Sequence, residues 1–226
     1  KTGNSLSEKL AQKIHYNFIK KYTKCWVPDF LGEYNLAGEL SHPLYKPANI
    51  EYIGGLSRFE KQTGIEKKYD LLIIISGPEP QRTVFEKLLI EQLKNYNGKA
   101  LFVRGLPVNN TPVAAFNNVT FVDHLSSAEL TIAIQQSSVV ISRAGYTTVM
   151  DMLKLQQKAI LIPTPGQTEQ LYLANYLHQK KIFFCLRQDE FILDKVLLQA
   201  ERFPFNKENF DMSLYKSAVK KLVDEL

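Results

Sequence analysis

The sequence predicts an α/β protein built on a doubly wound parallel sheet. From residue 69 onward, short apolar runs rich in β-branched residues alternate with longer segments whose apolar residues recur at helical spacing. The strand-like runs are apolar throughout, which is typical of strands that helices cover on both faces. Strands and helices that alternate in this way favour parallel pairing through right-handed crossovers, so the sheet is expected to be Rossmann-like.

The alternation extends to the end of the chain. The predicted strands of the sheet are residues 71–75, 100–103, 119–122, 139–141, 158–162 and 182–186. The predicted helices are residues 81–96, 128–136, one beginning at Thr147 or Thr148, one from Thr168 to His178, one around 191–200 and one at 213–226. Ahead of the sheet, a helix to about Tyr22 and two short strands, 24–27 and 50–53, are too few to form a core of their own.

Composition narrows the function classes. The 226 residues are 45% hydrophobic and 23% charged, with a net charge of +5 and no run of like charges dense enough to indicate nucleic-acid binding. None of the four histidines is spaced with carboxylates or cysteines as metal ligands are, so we expect no metal. We also expect no cofactor. The chain starts at Lys1 without a signal-peptide pattern, and we expect this start to be a cut end.

An anion site is predicted where the strand at 139–141 ends. Ser142-Arg143-Ala144-Gly145 breaks the apolar run and a helix follows. The start of a helix offers backbone N–H groups and a partial positive charge, while Gly145 permits close approach and Arg143 adds a full charge. Asp151 lies about 9 Å further along the helix, which suits the ribose of a nucleotide whose phosphates bind at the helix start. Alternatively, Asp151 is a solvated helix residue and Arg143 a surface charge.

This stretch resembles the donor-binding segment of GT-B glycosyltransferases. It is similar to glycosyltransferase family 28, the family of the bacterial enzyme that adds GlcNAc to lipid-linked muramoyl-pentapeptide, and to the UDP-glycosyltransferases, whose closing acidic residue and glutamine match Glu169-Gln170. The resemblance implies that Asp151 holds the ribose and that Glu169 and Gln170 orient the sugar. It implies a diphosphate site made of Arg143, Ala144, Gly145, Tyr146, Thr147 and Thr148. The sequence departs from the family at Asp151, which replaces a glutamate, and at Gln156-Gln157-Lys158, which replaces a small residue and Gly-Pro.

Two more turns correspond to ligand-contacting positions of the family. Ser76-Gly77 follows the first strand of the sheet, where the family has a glycine-rich turn facing the diphosphate, and Arg82 is placed to pair with phosphate. Two prolines remove N–H donors from this turn, so a purely structural turn is the alternative. Val122 matches a position whose backbone contacts the base, and His124 either points into the cleft or is an ordinary loop residue.

The resemblance implies that the chain is the C-terminal, donor-binding half of a GT-B glycosyltransferase. Residues 1–55 are then the tail of the N-terminal acceptor domain, 56–68 a linker and 69–226 the donor-binding domain. The implied reaction moves a sugar from a UDP-sugar to an acceptor in the cytoplasm, and a lipid-linked acceptor is one option. The catalytic base belongs to the missing N-terminal part, so the chain alone is expected to be inactive. Alternatives are a nucleotide-sugar hydrolase or 2-epimerase of the same fold, or a non-catalytic donor-binding subunit that works with a separate acceptor-binding protein.

The first predicted helix raises a separate question. Leu6, Leu10, Ile14 and Phe18 form an apolar stripe at four-residue spacing, and lysines flank it. A basic amphipathic helix can make peripheral contact with an anionic membrane at its inner face. The alternative is a helix packed on a sheet with its lysines in solvent.

Overall fold

A computed structural model describes residues 5–106, 116–206 and 210–225, with side chains from Leu10 onward. The chain divides into two compact units. One combines residues 1–56 with 209–226, and the other is residues 57–208. The assignment of residues 1–55, 56–68 and 69–226 to an acceptor-domain tail, a linker and a donor domain stays a prediction.

The elements follow the alternation that the sequence predicts. The strands are β1 (Cys25–Val27), β2 (Ile50–Tyr52), β3 (Tyr69–Ile74), β4 (Ala100–Val103), β5 (Val119–Val122), β6 (Ser137–Arg143), β7 (Ala159–Ile162) and β8 (Phe184–Cys185). The α-helices are α1 (Ser5–Ile19), α2 (Gln81–Leu93), α3 (Ser127–Gln135), α4 (Tyr146–Lys154), α5 (Thr168–Gln179), α6 (Leu193–Arg202) and α7 (Leu214–Asp224).

The larger unit contains a six-stranded parallel sheet in the order β5-β4-β3-β6-β7-β8. The chain runs from the central β3 outward to β5, then crosses to β6 and runs outward to β8 on the other side. The strand order therefore reverses between β3 and β6, where Ile74 pairs with Ser142. The predicted fold class, a doubly wound Rossmann-like sheet, is confirmed.

The core of this unit explains why the strands are apolar throughout. Leu71, Leu72 and Ile73 of β3 are fully buried, so both faces of the strand are covered. Phe85, Leu89 and Leu93 recur every four residues along α2 and bury one face of that helix in the main apolar cluster. Residues of α6, including Val196 and Ala200, join the same cluster.

Several predicted boundaries are wrong. Ser142-Arg143 does not break its strand, because both residues pair with β7 and are buried despite their polarity. Neither Thr147 nor Thr148 caps α4: the N-cap is Gly145, and both threonines lie within the first turn. The strand predicted at 182–186 shrinks to Phe184–Cys185 at the sheet edge, where it pairs only with β7. The predicted helix 81–96 ends at Leu93.

The smaller unit is built from both ends of the sequence. β1 and β2 pair in parallel, and Phe30 packs on Phe210 with ring centroids 5.2 Å apart. Lys24 Nζ lies 2.6 Å from the carboxylate of Glu225 at the end of α7. Within the described ranges, no helix is both long and apolar enough to cross a bilayer.

A buried carboxylate organises the long loop between β1 and β2. Asp29 is fully buried and accepts hydrogen bonds from the backbone N–H groups of Phe30, Leu36 and Ala37. The hydroxyl of Ser41 donates a further bond to Asp29 at 2.5 Å. The loop contains no strand, but these hydrogen bonds hold its conformation.

Candidate functional site

The two turns that the sequence singles out lie side by side. β3 leads into Ser76-Gly77 and β6 leads into Gly145, and the two strands are neighbours in the sheet. The Ser142 hydroxyl donates a hydrogen bond of 3.2 Å to the carbonyl of Ile74 across the pair. Open α/β sheets form their ligand crevice outside the carboxyl ends of the strands where the order reverses. The turns therefore meet at the position that this topology reserves for a ligand.

Gly145 has no structural need to be glycine. Its φ of −79° and ψ of 142° are ordinary extended values. A Cβ built there would approach only the Thr148 hydroxyl, at 3.8 Å. As the N-cap of α4, Gly145 supplies no capping side chain to the first-turn N–H groups. The residue leaves open space directly over the start of a helix.

The turn after β3 is different. Gly77 has φ +110°, a conformation that favours glycine, and both Ser76 and Gly77 are exposed. Arg82, predicted to pair with phosphate, is buried and forms ion pairs with Glu79 at 2.6 Å and with Glu86 at 3.0 Å. Its guanidinium belongs to a network inside the protein.

Arg143 also points inward. It is 3% exposed, and its guanidinium carbon lies 3.9 Å from the centre of the Phe85 ring. It donates hydrogen bonds to the carbonyls of Gln81, at 3.1 Å, and Pro163, at 3.4 Å. Burial lowers the pKa of Arg143 to about 10. The alternative of a solvated surface charge is therefore wrong, and the side chain links the start of α2 to the end of β7.

Asp151 is not a solvated helix residue either. The side chain lies in the sixth position of α4 and is 6% exposed. The hydroxyl of Ser57 donates a 2.6 Å hydrogen bond to its Oδ1. Burial raises the pKa of Asp151, while the bond from Ser57 and the charge of Arg58 act in the opposite direction. Sequence reasoning missed Ser57, which is 94 residues away and lies in the predicted linker.

The glutamine of the closing pair holds its own loop. Gln170 Oε1 accepts a hydrogen bond from the backbone N–H of Thr164 at 2.9 Å. Its amide nitrogen donates to Gln167 Oε1 at 2.5 Å. Glu169 is exposed in the first turn of α5. Gln170 thus fixes the shape of the connection from β7 to α5.

The predicted base-contacting segment lies at the end of β5. The Val122 carbonyl accepts a hydrogen bond from the Arg104 N–H at 2.9 Å, and His124 is exposed. Arg104 also donates from Nη1 to Asp123 Oδ1 at 2.7 Å. Sequence reasoning missed Arg104 and its partner Glu86, because no local motif marks them.

A cavity of about 500 Å³ is lined by the segments that follow β7 and β8. Apolar side chains of α2, Val84 and Leu88, face it together with Phe191. The connection from Pro163 to Thr168 forms another wall, and Arg187 and Asp189 contribute polar groups. The lining segment from Pro163 to Thr168 directly precedes Glu169-Gln170 in the chain. No sequence signal indicated this cavity.

No group of three or more potential metal ligands comes together among the residues that the structure describes. The expectation that the protein uses neither metal nor cofactor stays a prediction.

The profile of the glycosyltransferase family 28 C-terminal domain matches residues 85–226. The chain belongs to this family. The resemblance noted in the sequence is therefore confirmed, and the matched range includes the predicted site residues from Val122 to Gln170. No curated protein sequence matches the chain.

Two solved structures show the same fold. The glycotransferase of kitacinnamycin is 13% identical with a TM-score of 0.62, over 97% of this chain and 64% of that one. CalG4, the calicheamicin glycosyltransferase, is 11% identical with a TM-score of 0.55, over 100% of this chain and 64% of that one. At these identities the likeness is one of fold, and the chain spans less than two thirds, 64%, of the length of either protein.

Proposed function

We propose that this family 28 domain binds the nucleotide-sugar donor of a glycosyltransferase, and that the donor is a UDP-sugar. The observation that carries the proposal is the position of Gly145, an N-cap glycine that neither backbone conformation nor packing requires, at the switch point of the sheet. A ligand that must approach the start of α4 closely accounts for a glycine there.

The diphosphate lies between the two turns in this proposal. Residues 144–148 present the start of α4 to it, and Ser76-Gly77 borders it on the β3 side. Arg143 acts from behind the turn, because its buried guanidinium contributes positive potential without surface contact. As the bond from the sugar to UDP breaks, negative charge grows on the leaving diphosphate, and this fixed positive environment stabilises it.

Asp151 holds the ribose. Its Oδ1 already accepts the Ser57 hydroxyl, but a carboxylate has about four lone-pair positions and can accept ribose hydroxyls as well. Ser57 fixes the orientation of the carboxyl group.

The base and the sugar extend in opposite directions along the sheet edge. Val122 and His124, at the end of β5, border the base. Glu169, Gln170 and the adjoining cavity of about 500 Å³ receive the sugar at the ends of β7 and β8. A pocket of this volume with mostly apolar walls and a few polar groups is typical of small-ligand sites.

Calorimetric titration tests the proposal. UDP, UDP-GlcNAc, GDP, dTDP and inorganic diphosphate are titrated into the wild type, Gly145→Ala and Asp151→Asn. We expect saturable UDP binding by the wild type and a melting temperature in Gly145→Ala close to that of the wild type. Gly145→Ala should weaken both UDP and diphosphate about tenfold or more, whereas Asp151→Asn should weaken UDP alone. Unchanged UDP affinity in Gly145→Ala would remove the diphosphate from this turn.

The complete reaction, also proposed here, is transfer of the sugar to an acceptor that is lipid-linked. Support for a membrane-associated acceptor comes from α1, whose stripe is solvent-exposed: Leu10, Ile14 and Phe18 are 61%, 52% and 59% exposed. The alternative of a stripe buried against a sheet does not fit these exposures. Apolar side chains flanked by exposed Lys13 and Lys21 suit peripheral contact with the anionic cytoplasmic face of a membrane.

Vesicle sedimentation tests this contact. The wild type should bind vesicles that contain phosphatidylglycerol and should not bind pure phosphatidylcholine. Phe18→Ser should reduce binding severalfold, because it removes the largest apolar group of the stripe. Tyr45→Ser, at an 81% exposed position in a loop, serves as the control. Equal binding by Phe18→Ser and the wild type would exclude α1 as the contact.

A further inference from the structure

Five side chains of alternating charge link the turn after β3 to the loop after β5. Arg82 Nε lies 2.6 Å from Glu79 Oε1, and Arg82 Nη2 lies 3.0 Å from Glu86 Oε2. The other Glu86 oxygen accepts from Arg104 Nε at 2.5 Å, and Arg104 Nη1 lies 2.7 Å from Asp123 Oδ1. We call this set, Glu79, Arg82, Glu86, Arg104 and Asp123, the charge chain.

The middle of the charge chain is buried. Arg82, Glu86 and Arg104 are 8%, 5% and 6% exposed. Burying ion pairs costs desolvation that their attraction often only offsets, and apolar residues of similar volume frequently serve stability as well or better. Stability alone therefore does not account for three buried charges at this place, whereas a requirement for defined geometry does.

One end of the charge chain lies beside the turn after β3, and the other end lies in the loop after β5. Glu79 comes directly after Ser76-Gly77-Pro78, and its carboxylate accepts the backbone N–H of Thr83 at 3.2 Å, so it holds the start of α2. Asp123 comes directly after Val122, and its carbonyl accepts the N–H of Leu106 at 2.8 Å.

The two arginines also tie the backbone between these ends. Arg82 Nη1 donates to the carbonyl of Arg104 at 3.0 Å, which joins α2 to the end of β4. The Arg104 N–H in turn bonds the Val122 carbonyl. The turn after β3 and the loop after β5 are thus connected by direct bonds through Glu86, which contacts both guanidinium groups.

We propose that Glu86 is a positioning residue that holds the base-facing loop at Val122–His124 in register with the diphosphate-facing turn at Ser76-Gly77. It couples the binding of the two ends of the nucleotide. The proposal rests on the proposed donor function. Glu86 touches no ligand and acts through Arg82 and Arg104. Without its charge, the two guanidinium groups face each other unbalanced, and of the bonds described above only the one from Arg82 to the Arg104 carbonyl still joins α2 to the end of β4.

The coupling has a measurable signature. UDP contacts both the diphosphate-facing turn after β3 and the base-facing loop after β5, so it needs their spacing, whereas inorganic diphosphate does not contact the loop after β5. Glu86→Gln should therefore lower UDP affinity about tenfold, within the usual range of coupling energies, and change diphosphate affinity by less than about threefold. The experiment is calorimetric titration of the full chain with UDP, uridine and inorganic diphosphate.

Two further variants separate positioning from folding. Glu91→Gln is the matched control, because Glu91 lies on the same helix and pairs with Lys94 at the surface. The triple variant Arg82→Met, Glu86→Leu, Arg104→Met replaces the buried charges with apolar groups and should remain folded. It should still bind UDP more weakly than the wild type, because the fixed bonds to the two turns are gone.

The outcomes are distinguishable. A loss of UDP affinity in Glu86→Gln with near-normal diphosphate affinity supports the proposal. Equal losses for both ligands, no loss for either, or wild-type UDP affinity in the triple variant overturns it. If the wild type binds neither UDP nor diphosphate, the proposed function fails first and this inference fails with it.

Discussion

At the scale of single residues, Asp151, the residue proposed to hold the ribose, is a carboxyl group buried at a cost in stability. Burial raises the pKa of Asp151 in the folded protein above its value in the unfolded chain. The folded state then binds this proton more readily, so the contribution to stability is favourable below the unfolded pKa and is lost as pH rises through the folded pKa. At neutral pH the ionised carboxylate therefore destabilises the fold.

Asp151→Asn should consequently leave the free energy of unfolding at pH 7 equal to or above that of the wild type. The amide oxygen can still accept the Ser57 hydroxyl, and the cost of burying a charge disappears. The gain should vanish in acid, below both pKa values, where the wild-type carboxyl is also neutral. Chemical denaturation at pH 7 and near pH 3 measures the difference, with Asp194→Asn at an exposed position as the control. A clear loss of stability at pH 7 would contradict this account.

Gly105, at the end of β4, is a glycine that the structure requires. Its φ is +69°, and a Cβ there would lie 2.3 Å from the carbonyl oxygen of Ile75. Gly105→Ala should therefore lower the free energy of unfolding by about 2 kcal/mol or more, since left-handed strain alone costs 1–2 kcal/mol and the clash adds to it. Urea denaturation measures it beside Gly145→Ala, which should stay within about 1 kcal/mol of the wild type. Similar losses in both variants would contradict the distinction between these glycines.

Sequence reasoning could single out candidate residues that lie close together along the chain. It missed residues whose contacts are far away in the sequence. Gly145 and Asp151 share one strand-to-helix segment, so their spacing could suggest a nucleotide site beside the alternative of a solvated carboxylate and a surface charge, and the resemblance to the family then assigned their roles. Ser57 contacts Asp151 across 94 residues, and Arg104 contacts Glu86 across 18, so only the fold brings them together. The direction of the Arg143 side chain was also not predictable, because it depends on the Phe85 ring beneath it.

At the scale of elements, strand centres were predictable and ends were not. Continuous apolar runs of leucine and isoleucine identify β3 and β7, which are covered on both faces. Ser142 and Arg143 read as a break because they are polar, yet ladder pairing with β7 extends β6 through both. At the sheet edge the opposite happens: β8 is shorter than its apolar run because it has a partner on one side only.

The connection from β7 to α5 should loosen when its internal glutamine is removed. Gln170→Ala deletes the acceptor of the Thr164 N–H, so this amide should exchange with solvent about fivefold faster or more, with about 1 kcal/mol lost from overall stability. Hydrogen exchange monitored by NMR resolves the site. Gln179→Ala, at the exposed end of α5, should leave the exchange of Thr164 unchanged. Normal protection of Thr164 in Gln170→Ala would mean that the loop is held by other contacts.

At the scale of the whole molecule, every predicted site residue from Ser76 to Gln170 lies in the larger unit. Residues 57–208 produced alone should therefore keep the parallel sheet and bind UDP within about threefold of the full chain, because each unit is compact in itself. Circular dichroism and calorimetry of this fragment measure both properties. A fragment that folds but fails to bind UDP would show that the smaller unit contributes to the donor site.

The smaller unit contains contacts between distant parts of the sequence, such as Lys24 with Glu225 and Phe30 with Phe210. During synthesis on the ribosome, residues 1–56 of this unit are made before residues 209–226, so the unit cannot be completed until the end of the chain is synthesised. At about 5–20 residues per second, the intervening larger unit takes roughly 8–30 s to be synthesised. The parallel sheet can therefore fold while the first segment is still without its partner. A messenger truncated before residue 209 would yield a protein with an intact sheet and an unfinished first unit, a natural substrate for cellular quality control.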